Sequence, residues 1–367
     1  MDVSSQRKDT FLKHIAYLQI IGIILVVFGH SFHEYPDGRF GNTLLIYRLM
    51  SSFRMPLFMF VSGFLMVYTT RNRNKSLNDL GLFFSNKVRR LLLPLAFLTV
   101  VTFVPRVLLS SFADEEVKFS LGTLLRSLFY KDSLIIPFFW FLHASFILLT
   151  INYLALTLGS ILKIRDWIVY SAVTLIFVVL VCLPWNFGQF LSLYKVKDFG
   201  IYFVLGAVYC RYSEYVDRYI NWSSTKFFIM SAILWSVAFY YFEGTLYMPL
   251  CSIVGIVMCI SFARILESND IKILEPFIGA NYMIFLLSWY FNIFSQQVLH
   301  SFMDMPWWFF TTISFVSGVY MPWLIYRFMK KHHADSGLVR VMAFLLGQSF
   351  KSQNKKLTEK ESITSMA

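Results

Sequence analysis

Charge is what this chain has least of. Charged residues make up 15% of its 367 positions, where soluble globular chains average about 25%. What charge there is leans one way, with 33 Lys and Arg against 21 Asp and Glu and a formal net charge of +12. A cationic surplus can mark a nucleic-acid binder. Here the cations gather between apolar blocks, as in basic cytoplasmic loops that set membrane topology, and no nucleic-acid partner is expected. Cysteine is also scarce. Cys182, Cys210, Cys251 and Cys259 sit in or beside apolar blocks with no metal-ligand spacing, so they read as small core residues and no metal is expected. No internal repeat is visible, nor any paired Gly/Pro-broken spans of the kind that mark many transporters. A basic start and an apolar run open the chain without a small-residue cleavage site, which predicts a first transmembrane helix rather than a removed signal peptide. The longest loop, 110–137, carries ADEE at 113–116. It is too small for a soluble domain of its own and reads as a lid or part of an acceptor cleft.

Apolar residues supply the rest: 57% of the chain is hydrophobic and 19% aromatic. They fall in blocks of roughly twenty, the length of a helix that crosses a bilayer core of about 30 Å. The fold class is therefore all-α, a polytopic integral membrane protein of about ten transmembrane helices. The expected spans are 14–33, 48–68, 91–110, 137–158, 167–184, 199–212, 226–242, 246–265, 277–297 and 306–326. The sixth is short, its apolar run broken by Lys195, Lys197 and Asp198. With both termini in the cytoplasm, Lys and Arg favour the inner segments by about three to one, as the positive-inside rule requires. Residues 1–331 form the membrane domain and 332–367 a cytoplasmic tail. In that tail Gly337–Gly347, GLVRVMAFLLG, suits a short interfacial helix, and the polar stretch from Lys351 suits disorder.

Ionisable groups are costly inside a membrane, so each one there is a candidate for function. The first helix, YLQIIGIILVVFGHSFHEYP, ends in His30, with His33, Glu34 and Asp37 just beyond. His30 is either an interfacial histidine bonded to a neighbour or a general base, a role that suits an unperturbed pKa of about 6.5. Glu34, four residues on, shares a face with His30 if the helix continues, and can orient its imidazole. Gln19 lies eleven residues before His30, within about 20° of the same helix face and about 16 Å along the axis. Arg54 sits in FRMPLFMFVSGF, where Pro56 frees a carbonyl near residue 52. Arg54 either braces that kink or clamps an anion or carbonyl inside the bundle. The basic run NKVRRLLLP, with Lys87, Arg89 and Arg90, is a topology anchor, a patch for an anionic donor such as a nucleotide phosphate, or both. Trp140 and His143 in PFFWFLHASF form a third cluster, read either as an interfacial belt with a satisfied helix contact or as part of a substrate site.

Taken together, these stretches resemble the membrane acyltransferase-3 family, bacterial multispan enzymes that O-acylate cell-surface sugars. YLQIIGIILVVFGH resembles the family's opening helix, FRMPLFMFVSGFL its MPLFFFxSGF stretch, and KVRRLLLPL the basic pair that opens its third helix. FFWFLHASFILL, DFGIYFVLGAVYCRY and PFIGANYMIFLLSWYF are similar to three later segments, so the likeness runs in order over roughly 10–330. Two positions depart from the pattern. Gln19 stands where the family usually has Arg, and Ser288 or Trp289 stands where a His is common.

The resemblance implies a cytoplasmic acyl-CoA, with acetyl-CoA the expected form, as donor substrate and no bound cofactor. It also implies an acyl group passed across the inner membrane to a polysaccharide or lipid-linked glycan, alongside polysaccharide synthesis or export proteins. His30 carries over as the base, whereas the arginine role does not; Glu34 is its candidate orienter from helix spacing. Arg54, Gln19, Arg89, Arg90, Trp140 and His143 are the candidate substrate contacts. A glycan transporter and a non-catalytic member of a polysaccharide synthesis complex are the alternatives.

Overall fold

The computed structural model describes residues 3–32, 41–70, 77–108, 119–184, 188–245, 247–298, 302 and 306–350. Among these there is no strand, only one isolated bridge between Tyr130 and Phe190. Seven helical stretches are long and apolar enough to cross a membrane: Lys13–Ser31, Leu45–Thr70, Asp79–Leu108, Pro137–Ile161, Thr225–Phe242, Met248–Ser268 and Trp308–His332. The other three expected spans also fall on helices. Asp166–Cys182 is apolar but short. Leu193–Tyr219 takes Lys195, Lys197 and Asp198 into its first turns instead of breaking at them. Asn281–Ile293 is extended by a π-helical turn, Phe294–Val298.

In chain order the helices are α1 (Val3–Ser31), α2 (Gly41–Ser51), α3 (Arg54–Thr70), α4 (Leu77–Lys87), α5 (Leu93–Leu108), α6 (Leu121–Phe129) and α7 (Trp140–Ile161). They continue as α8 (Asp166–Cys182), α9 (Leu193–Tyr219), α10 (Thr225–Phe242), α11 (Met248–Ser268), α12 (Asn281–Ile293), α13 (Trp307–His332) and α14 (Gly337–Leu345). The first helix is central, packed against α2, α3, α11, α12 and α13. Its buried residues, Ile15, Leu18, Ile23, Val26 and Val27 among them, face partners on several sides. Lipid gives helices no hydrophobic reason to associate, so close packing through small residues takes over. Between α3 and α9 this is extreme. A Cβ on Gly63 would stand 1.9 Å from the Phe203 carbonyl oxygen, and one on Gly206 1.8 Å from that of Phe60.

The expected kink at Pro56 falls at a two-residue turn, Ser52–Phe53, between α2 and α3. Pro56 then falls in the first turn of α3, where a missing N–H costs little. The freed Ser52 carbonyl accepts a 2.6 Å hydrogen bond from Ser252 Oγ on α11. Arg54 is therefore not the brace for that carbonyl.

The N-terminal part of α1 and the C-terminal ends of α9 and α11 are tied by ion pairs that sequence reading did not anticipate. His14 Nδ1 lies 3.3 Å from Glu267, Arg264 lies 2.7 Å from Asp217, and Lys13 meets Asp270 and Glu275 at 3.2 and 2.9 Å. Asp270 lies beyond the end of α11, and Lys272 and then Lys13 hold its carboxyl below the ordinary carboxylate range.

The orientation is testable in a variant without the four native cysteines. Single cysteines at Ser120 and Asn269 should be labelled by a membrane-impermeant thiol reagent from opposite faces, Asn269 from the cytoplasm. Labelling of both from one face would contradict the topology.

Candidate active site

His30 occupies the last turn of α1, half-buried, its ring 5.3 Å from that of Phe138. Its backbone carbonyl accepts a 3.0 Å hydrogen bond from Gln296 Nε2, which also donates to Ser314 Oγ at 3.3 Å. Gln296 belongs to the π-helical turn after α12. Such turns re-aim side chains and recur at functional sites.

Arg54 opens α3 and is 7% exposed. Its guanidinium lies against the Cα of Gly29, the residue before His30, where a Cβ would stand 1.3 Å from Nη1. It also sits 5.0 Å above the Tyr47 ring and donates from Nη2 to the Tyr47 hydroxyl at 3.3 Å. Nη1 is buried and has no hydrogen-bond partner among the described residues. A buried charged donor left unsatisfied is costly. Next to a candidate base, it reads as a contact reserved for an anion or a polarised carbonyl.

A polar seam backs this corner. The Asn292 amide, turned so that its NH2 group faces the carbonyls, donates to Ser314 O at 2.9 Å and Ser288 O at 3.3 Å. The hydroxyls of Ser295 and Ser317 meet at 2.9 Å. Gly318 is required here, because a Cβ would stand 2.3 Å from the Asn292 side chain. Sequence reading missed Tyr47, Gln296 and this seam. The signal was present in Ser288, Asn292, Ser295 and Gln296, which recur at helical spacing in an apolar helix. Glu34 lies outside the described residues. Gln19 is half-buried on α1, three turns below His30.

Trp140 is the first residue of α7 and stacks on Phe199, with centroids 5.2 Å apart. His143, one turn on, is 2% exposed and lies 3.5 Å from Ser192 Oγ through Nδ1. It is a helix-to-loop contact rather than a member of the His30–Arg54 pair.

Arg89 and Arg90 belong to a second site. They lie on the π-helical turn Val88–Leu92 between α4 and α5, both exposed. The Arg89 guanidinium covers the Phe344 ring at 4.6 Å and that of Arg90 covers Tyr282 at 5.6 Å. With Thr69, Thr70, Phe83, Asn86, Lys87, Gly347 and Ser349 they line a cavity of about 290 Å³. Gly347 closes it with φ +64, and a Cβ there would be 2.9 Å from the Arg90 carbonyl oxygen. The segment that follows the C-terminal helix α14 is thus a wall of this cavity.

The two sites occupy opposite ends of the bundle. The Tyr282 hydroxyl, on the first turn of α12, donates to Arg90 O, while Gln296 at the far end holds His30. At 1.5 Å per residue they are about 21 Å apart. Arg54 and Thr70, at the two ends of α3, are about 24 Å apart by the same measure. The rings of Phe58, Phe138, Phe141 and Phe285 fill the space between, with neighbouring centroids 5.1–6.2 Å apart.

A model of one protein family, described as an acyltransferase domain, matches residues 12–327. The chain belongs to the acyltransferase-3 family. No curated protein and no solved structure matches it. The matched range takes in His30, Arg54, Arg89 and Arg90 and ends within α13. As an acyltransferase-3 member with several membrane-crossing helices, the protein is a multi-pass membrane acyltransferase.

Proposed function

We propose that this acyltransferase takes an acyl group, acetyl in the expected case, from acyl-CoA on the cytoplasmic face of the bacterial inner membrane. It passes the group to a hydroxyl of a polysaccharide or lipid-linked glycan on the outer face. The observation that carries this reading is the division of labour along α12. A cavity with Lys87, Arg89 and Arg90 on its walls lies at one end, and a histidine beside a buried, partly unsatisfied guanidinium lies at the other.

At the inner end the arginines suit the phosphates of a nucleotide-bearing donor, since guanidinium groups bind phosphate through paired N–H donors. Asn86 supplies a neutral hydrogen-bonding group beside them. At the outer end His30 removes the proton from the acceptor hydroxyl, and the oxygen attacks the thioester carbonyl. Negative charge grows on the carbonyl oxygen, where Arg54 Nη1 donates to it. Collapse of the tetrahedral intermediate breaks the C–S bond, and the departing thiolate takes the proton held by His30. The ester and free CoA thiol are the products, with no net proton change. Gln296 holds the backbone at His30, and the Phe58–Phe138–Phe141–Phe285 group keeps the path between the sites dry.

The inner site is tested by the double variant Arg89→Gln with Arg90→Gln. Losing charge-assisted contacts of about 1.5–3 kcal/mol should raise the KM for acyl-CoA by about tenfold to a hundredfold. The kcat at saturating donor should be kept. An unchanged KM would place the donor elsewhere. Flux of a glycan across the membrane without any acyl-CoA consumption would instead support a transporter.

A further inference from the structure

A second polar cluster lies on the outer side, next to Phe138 but apart from His30 and Arg54. The loop before α9 is pinned to the end of α6: Lys131 N donates to Gln189 O at 3.0 Å and Leu191 N to Phe129 O at 2.7 Å. Leu191 and Ser192 both have left-handed backbones, with φ of 47 and 55. Two consecutive non-glycine residues in that region are strained, and such strain gathers at functional sites. Ser192 is fully buried and held by His143.

This conformation presents Tyr194 and Lys195 to Lys131. The Lys195 ammonium lies 4.7 Å from the Tyr194 ring centroid, and that of Lys131 lies 5.9 Å from the same ring. Two cations gathered on one aromatic ring repel each other. Asp198 offsets Lys195 only loosely, at 3.8 Å, and Arg126, over Tyr130 at 5.8 Å, adds a further positive charge nearby. Lys195 also lies 5.4 Å from the ring of Trp140, which is stacked on Phe199. The cluster therefore joins a concentration of positive charge to a broad aromatic face. Trp140 is two residues from Phe138, whose ring touches His30.

The geometry points to an acceptor subsite for a negatively charged sugar: Lys131 and Lys195 take a carboxylate or phosphate on the glycan, and the Trp140–Phe199 stack supports the ring. The negative face of an aromatic ring attracts the weakly positive C–H groups on one side of a sugar. The assignment of this subsite to the acceptor rests on the reading of the outer end given above. His143 is then a positioning residue, which fixes Ser192 and through it the strained turn. The acceptors favoured are acidic glycans, with neutral ones at a disadvantage.

The test is direct binding to the purified protein in nanodiscs. The probes are a short oligouronate, the same oligosaccharide with its carboxyls reduced, and a sugar phosphate. Wild type should bind at least one of the two anionic probes, more weakly as salt rises, and should bind the reduced one poorly. The arm that binds identifies carboxylate or phosphate. Lys131→Gln with Lys195→Gln should weaken anionic binding by about tenfold to a hundredfold, while thermal unfolding confirms the fold. Lys131→Arg with Lys195→Arg should keep it. The inference is overturned if neither anionic probe binds, if the reduced one binds as well, or if the Gln variant binds like wild type. Failure of every acyl donor in a protein that still binds the anionic probe would count against acyl transfer and leave the subsite standing.

Discussion

Replacing His30 with alanine is expected to lower acyl transfer by about 10²–10⁴-fold, the usual contribution of a general base. Insertion and accumulation should be unchanged, because His30 is half-buried at a helix end, where its ring packs against that of Phe138. The loss should fall on kcat, with the KM for acyl-CoA unaffected, since the donor's charged end is proposed to bind at the far end of α12. His33→Ala is the control and should cost far less. Near wild-type turnover by the purified His30→Ala protein would remove His30 from the chemistry.

Arg54 carries the second large effect. Its Nη1 is buried beside Gly29 without a partner among the described residues, and removing a donor that serves a developing oxyanion costs about 10²–10³-fold in kcat. Arg54→Gln should show that loss. Gly29→Ala should approach it without touching Arg54, because the new Cβ occupies the place of Nη1 and pushes the guanidinium aside. Gln19→Ala should cost less than either, and Gln19→Arg should be tolerated if, as proposed, the bundle takes an anionic donor. The measurement is kcat and KM for each purified variant across donor concentrations. If Gln19→Ala proves the most damaging, the first helix holds the donor through its amide and Arg54 is not the group that matters.

Much of this arrangement was legible in the residues. Hydropathy gave the helical blocks because lipid demands long apolar runs. His30 and Arg54 stood out because charge is expensive inside a membrane, and Arg89 and Arg90 because they form a basic run at the start of a helix. Pro56 announced a kink with a freed carbonyl near residue 52, and a two-residue turn lies at Ser52–Phe53. What stayed hidden depends on partners distant in sequence. Nothing local says that Ser252 caps the Ser52 carbonyl or that Gly29 makes room for Arg54. The same holds for the ties that His14, Arg264 and Asp217 make to other helices. The π-helical turns at Val88–Leu92 and Phe294–Val298 have no residue signature of their own, yet they aim Arg89, Arg90 and Gln296. The apolar run expected to break at Lys195 stays helical because Lys197 reaches the Leu183 carbonyl and Lys195 finds the aromatic cluster.

Proteoliposomes with a single protein orientation test the central claim most directly. Radiolabelled acetyl-CoA is supplied only on the face that carries Arg89 and Arg90, and the glycan acceptor only on the face of His30. The account predicts labelled ester on the glycan and free CoA in equal amounts, each on its own side, and neither product with His30→Ala. Ester formation only when donor and acceptor share one face, or undiminished transfer by His30→Ala, would contradict it.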